Sequence, residues 1–220
     1  MLGIWIAALF LSVPRWLCAQ EAPPRIGPLV VDFHGIMPKF GDNADLAASR
    51  DLNVAELPGL SLGATGGFHV YLPKIAGVTV GLGGEALITR AHSDPPSSTI
   101  DANTGLPVPT SYRPVTETFK SISPQLSLNF GNGNGWSYLS VGIGRSLWSI
   151  TRDGAQPQPP DEEPIRTINY GGGARWFIKP HLAFSLDVRL YEIDNGTPTQ
   201  NLSGSPRTVL LVIGAGISVK

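Results

Sequence analysis

Eight separate segments of this chain alternate apolar residues with polar or small ones, and this recurrence most constrains the fold. Successive side chains of a β-strand point to opposite faces, so each segment predicts a strand with one apolar face. After the first twenty residues, no segment carries the apolar stripe of an amphipathic helix. The predicted strands are Leu29–Ile36, Leu60–Leu72, Val78–Thr89, Thr116–Phe130, Trp136–Thr151, Ile168–Ile178, Leu182–Glu192 and Thr208–Val219.

The connections between these strands alternate long, short, long, short, long, short, long. The short turns cover 73–77, 131–135 and 179–181, and the long loops cover 37–58, 92–114, 152–164 and 193–206. Outer-membrane barrels have short periplasmic turns and longer outer loops, and a closed barrel satisfies every backbone group in lipid. We therefore predict an all-β fold, an eight-stranded antiparallel up-and-down transmembrane β-barrel. A secreted carrier barrel with its apolar residues inside, around a ligand, is the alternative.

Aromatic residues near both ends of the predicted strands suggest two interfacial belts. The first group lies beside the short turns: Tyr71, Phe130, Trp136, Tyr138, Trp176 and Phe177. The second lies nearer the long loops: Phe119, Trp148, Tyr170 and Tyr191. Two strands carry irregularities, because Pro124 predicts a bulge or a local break and the phase is unclear beyond Arg145.

The N-terminal twenty residues are apolar from Leu2 to Val13 and then carry Pro14 and Arg15. This run is shorter than the roughly 20 apolar residues that span a bilayer, and it fits a secretory leader. We predict a signal peptide at 1–20 and an outer-membrane barrel domain at 21–220. Cys18 is the single cysteine, so the mature chain has no disulfide or thiolate metal site.

Composition narrows the class of partner. The chain has 16 Lys and Arg against 17 Asp and Glu, so its overall charge gives no reason to expect a nucleic-acid partner. Charged residues make up only 15% of the chain, whereas about 25% is usual for soluble proteins. Low charge together with an export signal favours the membrane interpretation.

The segment GGGARWFIKPHLAFSLDVR at 171–189 resembles the penultimate hairpin of small eight-stranded outer-membrane barrels, the OmpA/OmpX/OmpW-like group of Gram-negative bacteria. The pattern of alternation extends this resemblance over about residues 27–219. It implies a bacterial outer-membrane location, a monomer, contact with outer-membrane lipid and lipopolysaccharide, and insertion by the barrel assembly machinery. In place of the family's final aromatic residue, this chain has Ile217 to Lys220.

The polar faces predict a side-chain network in the lumen. An eight-stranded barrel is just wide enough to be filled by side chains, and charges enclosed there must pair. We expect Arg175 and Arg189 to pair with Asp187, Glu85 or Asp32, so that the network is structural. The predicted lumen residues are Asp32, His34, His69, Glu85, Gln125, Arg175, Asp187 and Arg189.

The sequence predicts no cofactor, no metal and no catalytic residue. The four histidines show no ligand spacing, and His92-Ser93-Asp94 are adjacent loop residues rather than separated positions that converge. The leading hypothesis is therefore a non-enzymatic barrel with a structural or surface-interaction role in the cell envelope. One alternative is a narrow pore for a small or apolar solute, and a second is an enzyme that modifies outer-leaflet lipid.

Overall fold

The computed structural model describes residues 24–41 and 43–220, so the predicted leader lies outside the described residues. It contains ten strands, two short α-helices and a 3-10 turn at Val54–Glu56. The strands are β1 (Leu29–Lys39), β2 (Leu62–Tyr71), β3 (Val78–Ser93), β4 (Ser98–Ile100), β5 (Pro107–Pro109), β6 (Val115–Asn132), β7 (Gly135–Arg152), β8 (Pro164–Lys179), β9 (Leu182–Ile193) and β10 (Thr208–Val219). The helices are α1 (Ala44–Ala48) and α2 (Pro159–Glu162).

Eight of these strands form a closed antiparallel barrel in the order β1-β2-β3-β6-β7-β8-β9-β10, which confirms the predicted fold class. The barrel closes because β1 also pairs with β10, where Asp32 lies opposite Ser218. Strands β4 and β5 pair only with each other and form a hairpin inside the second long loop. The short connections all lie at one end of the barrel, the short-turn end, and the long ones lie at the other, the long-loop end.

The outer wall of the barrel is apolar. In β9, Phe184, Leu186 and Val188 are exposed, while Ala183 and Ser185 between them are buried. The same alternation runs through the other barrel strands, with exposed Leu126 and Leu128 in β6 as further examples. A secreted carrier would turn these side chains inward, so the outward direction excludes that alternative.

Strand tilt follows from the register. A path of register partners that leaves β1 at Lys39 crosses all the other barrel strands and returns to β1 at Leu29. Closing a sheet in this way requires strands that tilt by about 35–45°. Residues at the same depth in the membrane are therefore not direct register partners. From one strand to the next they are displaced along the strand by slightly more than one residue.

Several strands are longer in the structure than the sequence predicts. Strand β1 continues to Lys39, β3 continues to Ser93 and β8 begins at Pro164, because each still has a neighbour to pair with beyond the apolar zone. The first and third long loops are also more regular than predicted, since α1 and the 3-10 turn lie in one and α2 lies in the other. Among the described residues, no helix is long and apolar enough to cross a membrane.

The two predicted irregularities have different outcomes. Pro124 faces outward in β6, and the ladder to β7 lacks only the pairs at 123 and 124, so there is a local break without a bulge. Strand β7 alternates without interruption past Arg145, which is exposed, to Trp148, which is fully buried. The register shift of the barrel lies instead between Phe177 and Lys179, beside the short turn.

Candidate functional site

The lumen residues of the short-turn half form a charged cluster around Asp32. The guanidinium of Arg175 donates two hydrogen bonds to this carboxylate, from Nε at 2.9 Å and from Nη2 at 2.6 Å. Ser218 donates a third hydrogen bond, and His69 Nδ1 lies 3.8 Å from Asp32 Oδ2. The guanidinium also lies over the ring of Tyr138, 4.1 Å from its centroid, so its planar face has a partner as well as Nε and Nη2.

Arg189 organises a second cluster one layer further from the short turns. It donates to Asp187 at 3.2 Å, to Gln125 at 2.9 Å and to Ser140 at 2.9 Å, and its Nε lies 3.5 Å from Glu85. Bonding to several neighbours fixes the orientation of the guanidinium. These contacts join four barrel strands across the lumen.

Tyrosine and amide side chains complete this layer. Tyr138 donates to Asp187 at 2.6 Å, and Tyr191 donates to Glu85. Gln125 donates to Asn169 at 2.7 Å, and His34 shares a 2.8 Å hydrogen bond with Ser185. The structure thus places all eight residues of the predicted lumen set inside the barrel and brings them into two adjoining clusters. The cavity left between the clusters is about 10 Å³, roughly the space of one water molecule.

Glycines on the lumen face of β8 make room for these side chains. A Cβ at Gly173 would lie 2.6 Å from the hydroxyl oxygen of Tyr138, and one at Gly171 would lie 2.7 Å from Cα of Arg189. Both distances are shorter than a van der Waals contact. Gly171 and Gly173 therefore allow the Tyr138 hydroxyl and the backbone at Arg189 to approach β8 closely in a narrow lumen.

The long-loop half of the lumen is filled mainly by apolar side chains, which the sequence did not predict. Trp148 lies at its centre, stacked on Phe40 with 5.9 Å between centroids and edge-on to Phe119 at 6.3 Å. The indole Nε1 of Trp148 donates to Glu117 at 2.6 Å, so its polar atom is satisfied. We call the buried side chains of this half the apolar plug: Ile36, Phe40, Leu46, Ala47, Leu57, Leu87, Val115, Phe119, Trp148, Ile150, Ile165, Tyr191, Ile193, Leu210 and Val212.

The predicted aromatic belts are therefore wrong for most of their members. Six members face the lumen instead of lipid. Phe119, Trp148 and Tyr191 do so in the long-loop half, and Tyr71, Trp136 and Tyr138 do so near the short turns. Phe177 packs against Trp136, with ring centroids 5.1 Å apart. Three members of the predicted belts do lie exposed on the outer wall: Phe130, Tyr170 and Trp176. Proximity to a strand end does not determine on which face a residue lies.

A buried arginine fastens the loops over the plug. Arg50, just after α1, donates to Asp161 in α2 at 2.8 Å and to Ser205 in the last long loop at 2.9 Å. Its Nη2 also donates to the carbonyl oxygen of Trp148 at 3.0 Å. One guanidinium thus ties three long loops to a barrel strand. The sequence contained no periodic signal for this contact, because its partners are far apart in irregular segments.

Glu56, at the end of the 3-10 turn, makes a second link between the loops and the barrel. Its carboxylate accepts hydrogen bonds from Arg152 at 3.1 Å, from the Asn53 amide at 2.8 Å and from the Arg113 amide at 3.1 Å. Burial alone would raise the pKa of Glu56, but these donors outweigh it and lower the pKa to about 2. The carboxylate is therefore ionised and bonded at neutral pH.

The second long loop differs from the others because none of its residues at 94–114 is buried. Its hairpin, β4 and β5, exposes Ile100, Leu106 and Val108, of which Ile100 retains 67% of its accessible surface. Within the hairpin, Asp101 accepts hydrogen bonds from the Asn103 and Thr104 amides at 2.7 and 2.9 Å. The turn is internally ordered, while its apolar side chains remain largely exposed.

The adjacent residues His92, Ser93 and Asp94 do not form a catalytic triad. His92 Nε2 lies 3.3 Å from Asp94, but the hydroxyl of Ser93 donates to the backbone carbonyl of Glu56 at 2.5 Å. Its proton is thus directed away from the imidazole. Within 24–41 and 43–220, no group of three or more His, Cys, Asp or Glu residues could hold a metal ion.

Solved structures of outer-membrane proteins resemble this fold, whereas sequence comparisons find no relative. No family model and no curated protein sequence matches the chain. Among solved structures, Neisserial surface protein A (NspA) matches with a TM-score of 0.52 and 12% identity over 88% of this chain and 97% of NspA. The attachment invasion locus protein Ail of Yersinia pestis matches with a TM-score of 0.45 and 13% identity, over 88% of this chain and 99% of Ail.

The outer membrane protease OmpT from Escherichia coli also matches, with a TM-score of 0.40 and 10% identity over 74% of this chain and 64% of OmpT. At these identities the likeness to NspA concerns the fold. The chain has the fold of the small eight-stranded outer-membrane β-barrels, in agreement with the resemblance carried by 171–189, and its structural neighbours are outer-membrane proteins.

Proposed function

We propose that this chain is a permanently filled outer-membrane barrel with a structural and surface-interaction role in the bacterial envelope. The observation that carries the proposal is the double filling of the lumen. Paired charges occupy the short-turn half and the apolar plug occupies the long-loop half. No solute larger than water fits the cavity of about 10 Å³ between the charged clusters.

Contacts from the long loops hold the plug in place, in addition to the barrel wall that surrounds it. Arg50 and Glu56 connect the loops to the wall, and both side chains are buried. Opening a passage would require breaking these bonds and removing Phe40 and Trp148 from their stack. Buried charge pairs and packed aromatics each cost several kcal/mol to disrupt, so a spontaneous opening is rare.

Interaction with other surfaces is then assigned to the long-loop end, and above all to the exposed hairpin formed by β4 and β5. Exposed apolar side chains on an ordered turn are typical of contact sites, because ordering them costs little further entropy. Ile100, Leu106 and Val108 supply that surface here. The second long loop thus presents an apolar contact surface, and the barrel holds that loop in place.

Two measurements test this function together. In planar bilayers, the purified barrel is expected to show no ion conductance, whereas stable conductance steps would favour the alternative of a narrow pore. Cells that display the barrel are expected to adhere to hexadecane droplets more than cells that display Ile100→Ser/Leu106→Ser/Val108→Ser. Equal adhesion at equal surface amounts would remove the role of the hairpin.

We further propose that the chain is not an enzyme. The direction of the Ser93 hydroxyl, away from His92, supports this interpretation. Mass spectra of lipid A from cells that overexpress the chain are expected to match those of control cells. A new acyl-chain or phosphate mass difference that disappears in Ser93→Ala would establish the alternative of a lipid-modifying enzyme.

The route to the membrane is part of the same proposal. We propose that residues 1–20 are removed on export, that the barrel assembly machinery inserts the chain, and that the barrel is a monomer. The apolar run from Leu2 to Val13 supports the first step. The mass of the protein isolated from outer membranes tests it, since an intact leader would contradict cleavage, and depletion of the assembly machinery is expected to lower the folded amount.

A further inference from the structure

One sector of the outer wall carries positive charge where lipid would be expected. Arg90 in β3, Lys120 in β6, Arg145 in β7 and Arg166 in β8 all face outward and are exposed. These four residues, which we call the basic belt, lie on adjacent strands. Outward-facing basic side chains are costly at the bilayer midplane and tolerated near its surface, so their depth decides what they contact.

The register places the belt at one depth. In the ladder, Arg90 pairs with Thr118 and Lys120 pairs with Leu147, so Lys120 and then Arg145 are each displaced by two positions toward the short turns. A line of constant depth shifts the same way, by slightly more than one residue per strand. Arg145 and Arg166 are direct register partners and lie within about one residue of that line.

That depth matches the outer boundary of the hydrocarbon zone. Along β6, Lys120 lies ten positions before Phe130, the last outward apolar residue before the short turn. At about 3.4 Å per residue and a tilt of about 40°, this is roughly 25 Å, the height of the apolar band of such barrels. Beyond the belt the outward residues become hydroxylic, including Thr116, Thr118, Ser149 and Thr151.

The charges of the belt are poorly compensated by the protein. Arg166 pairs with Asp194 at 3.8 Å, whereas no carboxylate of the described chain pairs with the other three residues. Arg145 and Arg166 are direct cross-strand partners, and like charges in this position repel each other. An anion bound beside Arg145 would reduce this repulsion, and a phosphate is an anion that arginine and lysine side chains bind well.

An apolar groove begins at the belt. It has a volume of about 360 Å³ and lies on the wall between β3 and β8, with Lys120 and Arg145 at its polar edge. Ala86, Ile88 and Ile122 are among its apolar lining residues. A groove next to a pair of cations fits a ligand that has both an acyl chain and a phosphate.

We propose that the basic belt and its groove form a binding site for a phosphorylated glycolipid of the outer leaflet, of the lipid A type. The phosphate would lie between Lys120 and Arg145, an acyl chain would lie along the groove, and the hydroxyls beyond the belt would face the sugar. The inference needs the outer-membrane setting but not the filled lumen, so the conductance measurement and the lipid measurement can fail separately.

Native mass spectrometry of the full barrel in detergent, titrated with purified bisphosphorylated lipid A, tests the site. The variant Lys120→Gln/Arg145→Gln is expected to bind lipid A about 30-fold more weakly, and Arg145→Gln about 5-fold more weakly. The matched control Lys39→Gln/Lys74→Gln loses the same charge outside the belt. It is expected to change affinity less than about 2-fold, and heat-modifiable gel migration verifies that each variant is folded.

Other probes distinguish the sources of phosphate. Dephosphorylated lipid A and phosphatidylglycerol are expected to bind at least about 10-fold more weakly than bisphosphorylated lipid A, and inorganic phosphate at millimolar concentration is expected not to displace it. Equal losses in the belt and control variants would overturn the site. So would unchanged binding of the belt variants, equal binding of either comparison lipid, or displacement by free phosphate.

Discussion

The half of the lumen near the short turns is organised by paired charges, whereas the half near the long loops is filled mainly by aromatic and aliphatic side chains. Arg175 with Asp32 represents the first half, and Trp148 with Phe40 represents the second. Both solve the same problem, since a narrow barrel must fill its interior. They differ in what a substitution leaves behind, which is an unpaired buried charge in one half and a cavity in the other.

The largest effect is expected where a charge loses its partner. Arg175→Met leaves the Asp32 carboxylate buried without its bidentate donor and is expected to destabilise the folded barrel by about 3–5 kcal/mol. Urea unfolding in detergent, followed by heat-modifiable gel migration, measures the change. The exposed Arg90→Met, expected to cost less than about 1 kcal/mol, is the control.

Removing both charges separates pairing from packing. The double variant Asp32→Leu/Arg175→Met has no unpaired charge and is expected to recover much of the stability lost in Arg175→Met. If the single and double variants unfolded alike, the charge pair would not be what holds this half. The comparison between the two halves would then rest on volume alone.

In the apolar half, a cavity is the expected cost. Trp148→Ala removes the centre of the plug and frees Glu117 from its indole donor, so a loss of about 3–4 kcal/mol is expected. Trp176→Ala removes the same side chain from the outer wall, where no packed cavity results, and is expected to cost clearly less. Similar losses in the two variants would contradict the inward direction of Trp148.

A smaller effect is expected at the loops over the plug. Glu56→Gln weakens the bonds to Arg152 and to the Asn53 and Arg113 amides, which corresponds to about 1–2 kcal/mol of local stability. Faster amide hydrogen exchange at 53 and 113 would measure it. Glu162→Gln, at an exposed site, is the control. Unchanged exchange in Glu56→Gln would show that the apolar contacts alone hold this loop.

The same contact should respond to acid. The folded pKa of Glu56, about 2, lies below the ordinary value of 4.5, so the stabilisation is complete above about pH 4.5 and is lost as the pH falls toward 2. Exchange at 53 and 113, corrected for the intrinsic rate, is expected to accelerate over this interval in the parent chain. It should stay level in Glu56→Gln.

The sequence predicts which side chains face outward and which face the lumen wherever one face of a strand is polar and the other is apolar. Asp187 and Arg189 share a face of β9 opposite Leu186 and Val188, and this pattern identified both the barrel and its polar lumen network. The evenly alternating loop lengths provided the topology. Neither inference required long-range contacts, because each depends on the period of a single strand.

The pattern failed where both faces are apolar. In β7 beyond Arg145, Trp148 is buried beside exposed Leu147. Hydrophobicity cannot tell these positions apart, so the aromatic residues of the plug were assigned to interfacial belts. The Arg50 and Glu56 contacts were missed for another reason, since they join distant irregular segments without any period.

The central claim is that one set of side chains meets lipid while the other fills the barrel from end to end. The chain beyond residue 20 has three tryptophans, Trp136, Trp148 and Trp176, which allows a direct test. Three single-tryptophan variants, with the other two changed to Phe, would be reconstituted in vesicles of lipid with brominated acyl chains. We expect Trp176 to lose most of its emission and Trp136 and Trp148 to lose little, whereas quenching of Trp148 as strong as that of Trp176 would contradict the account.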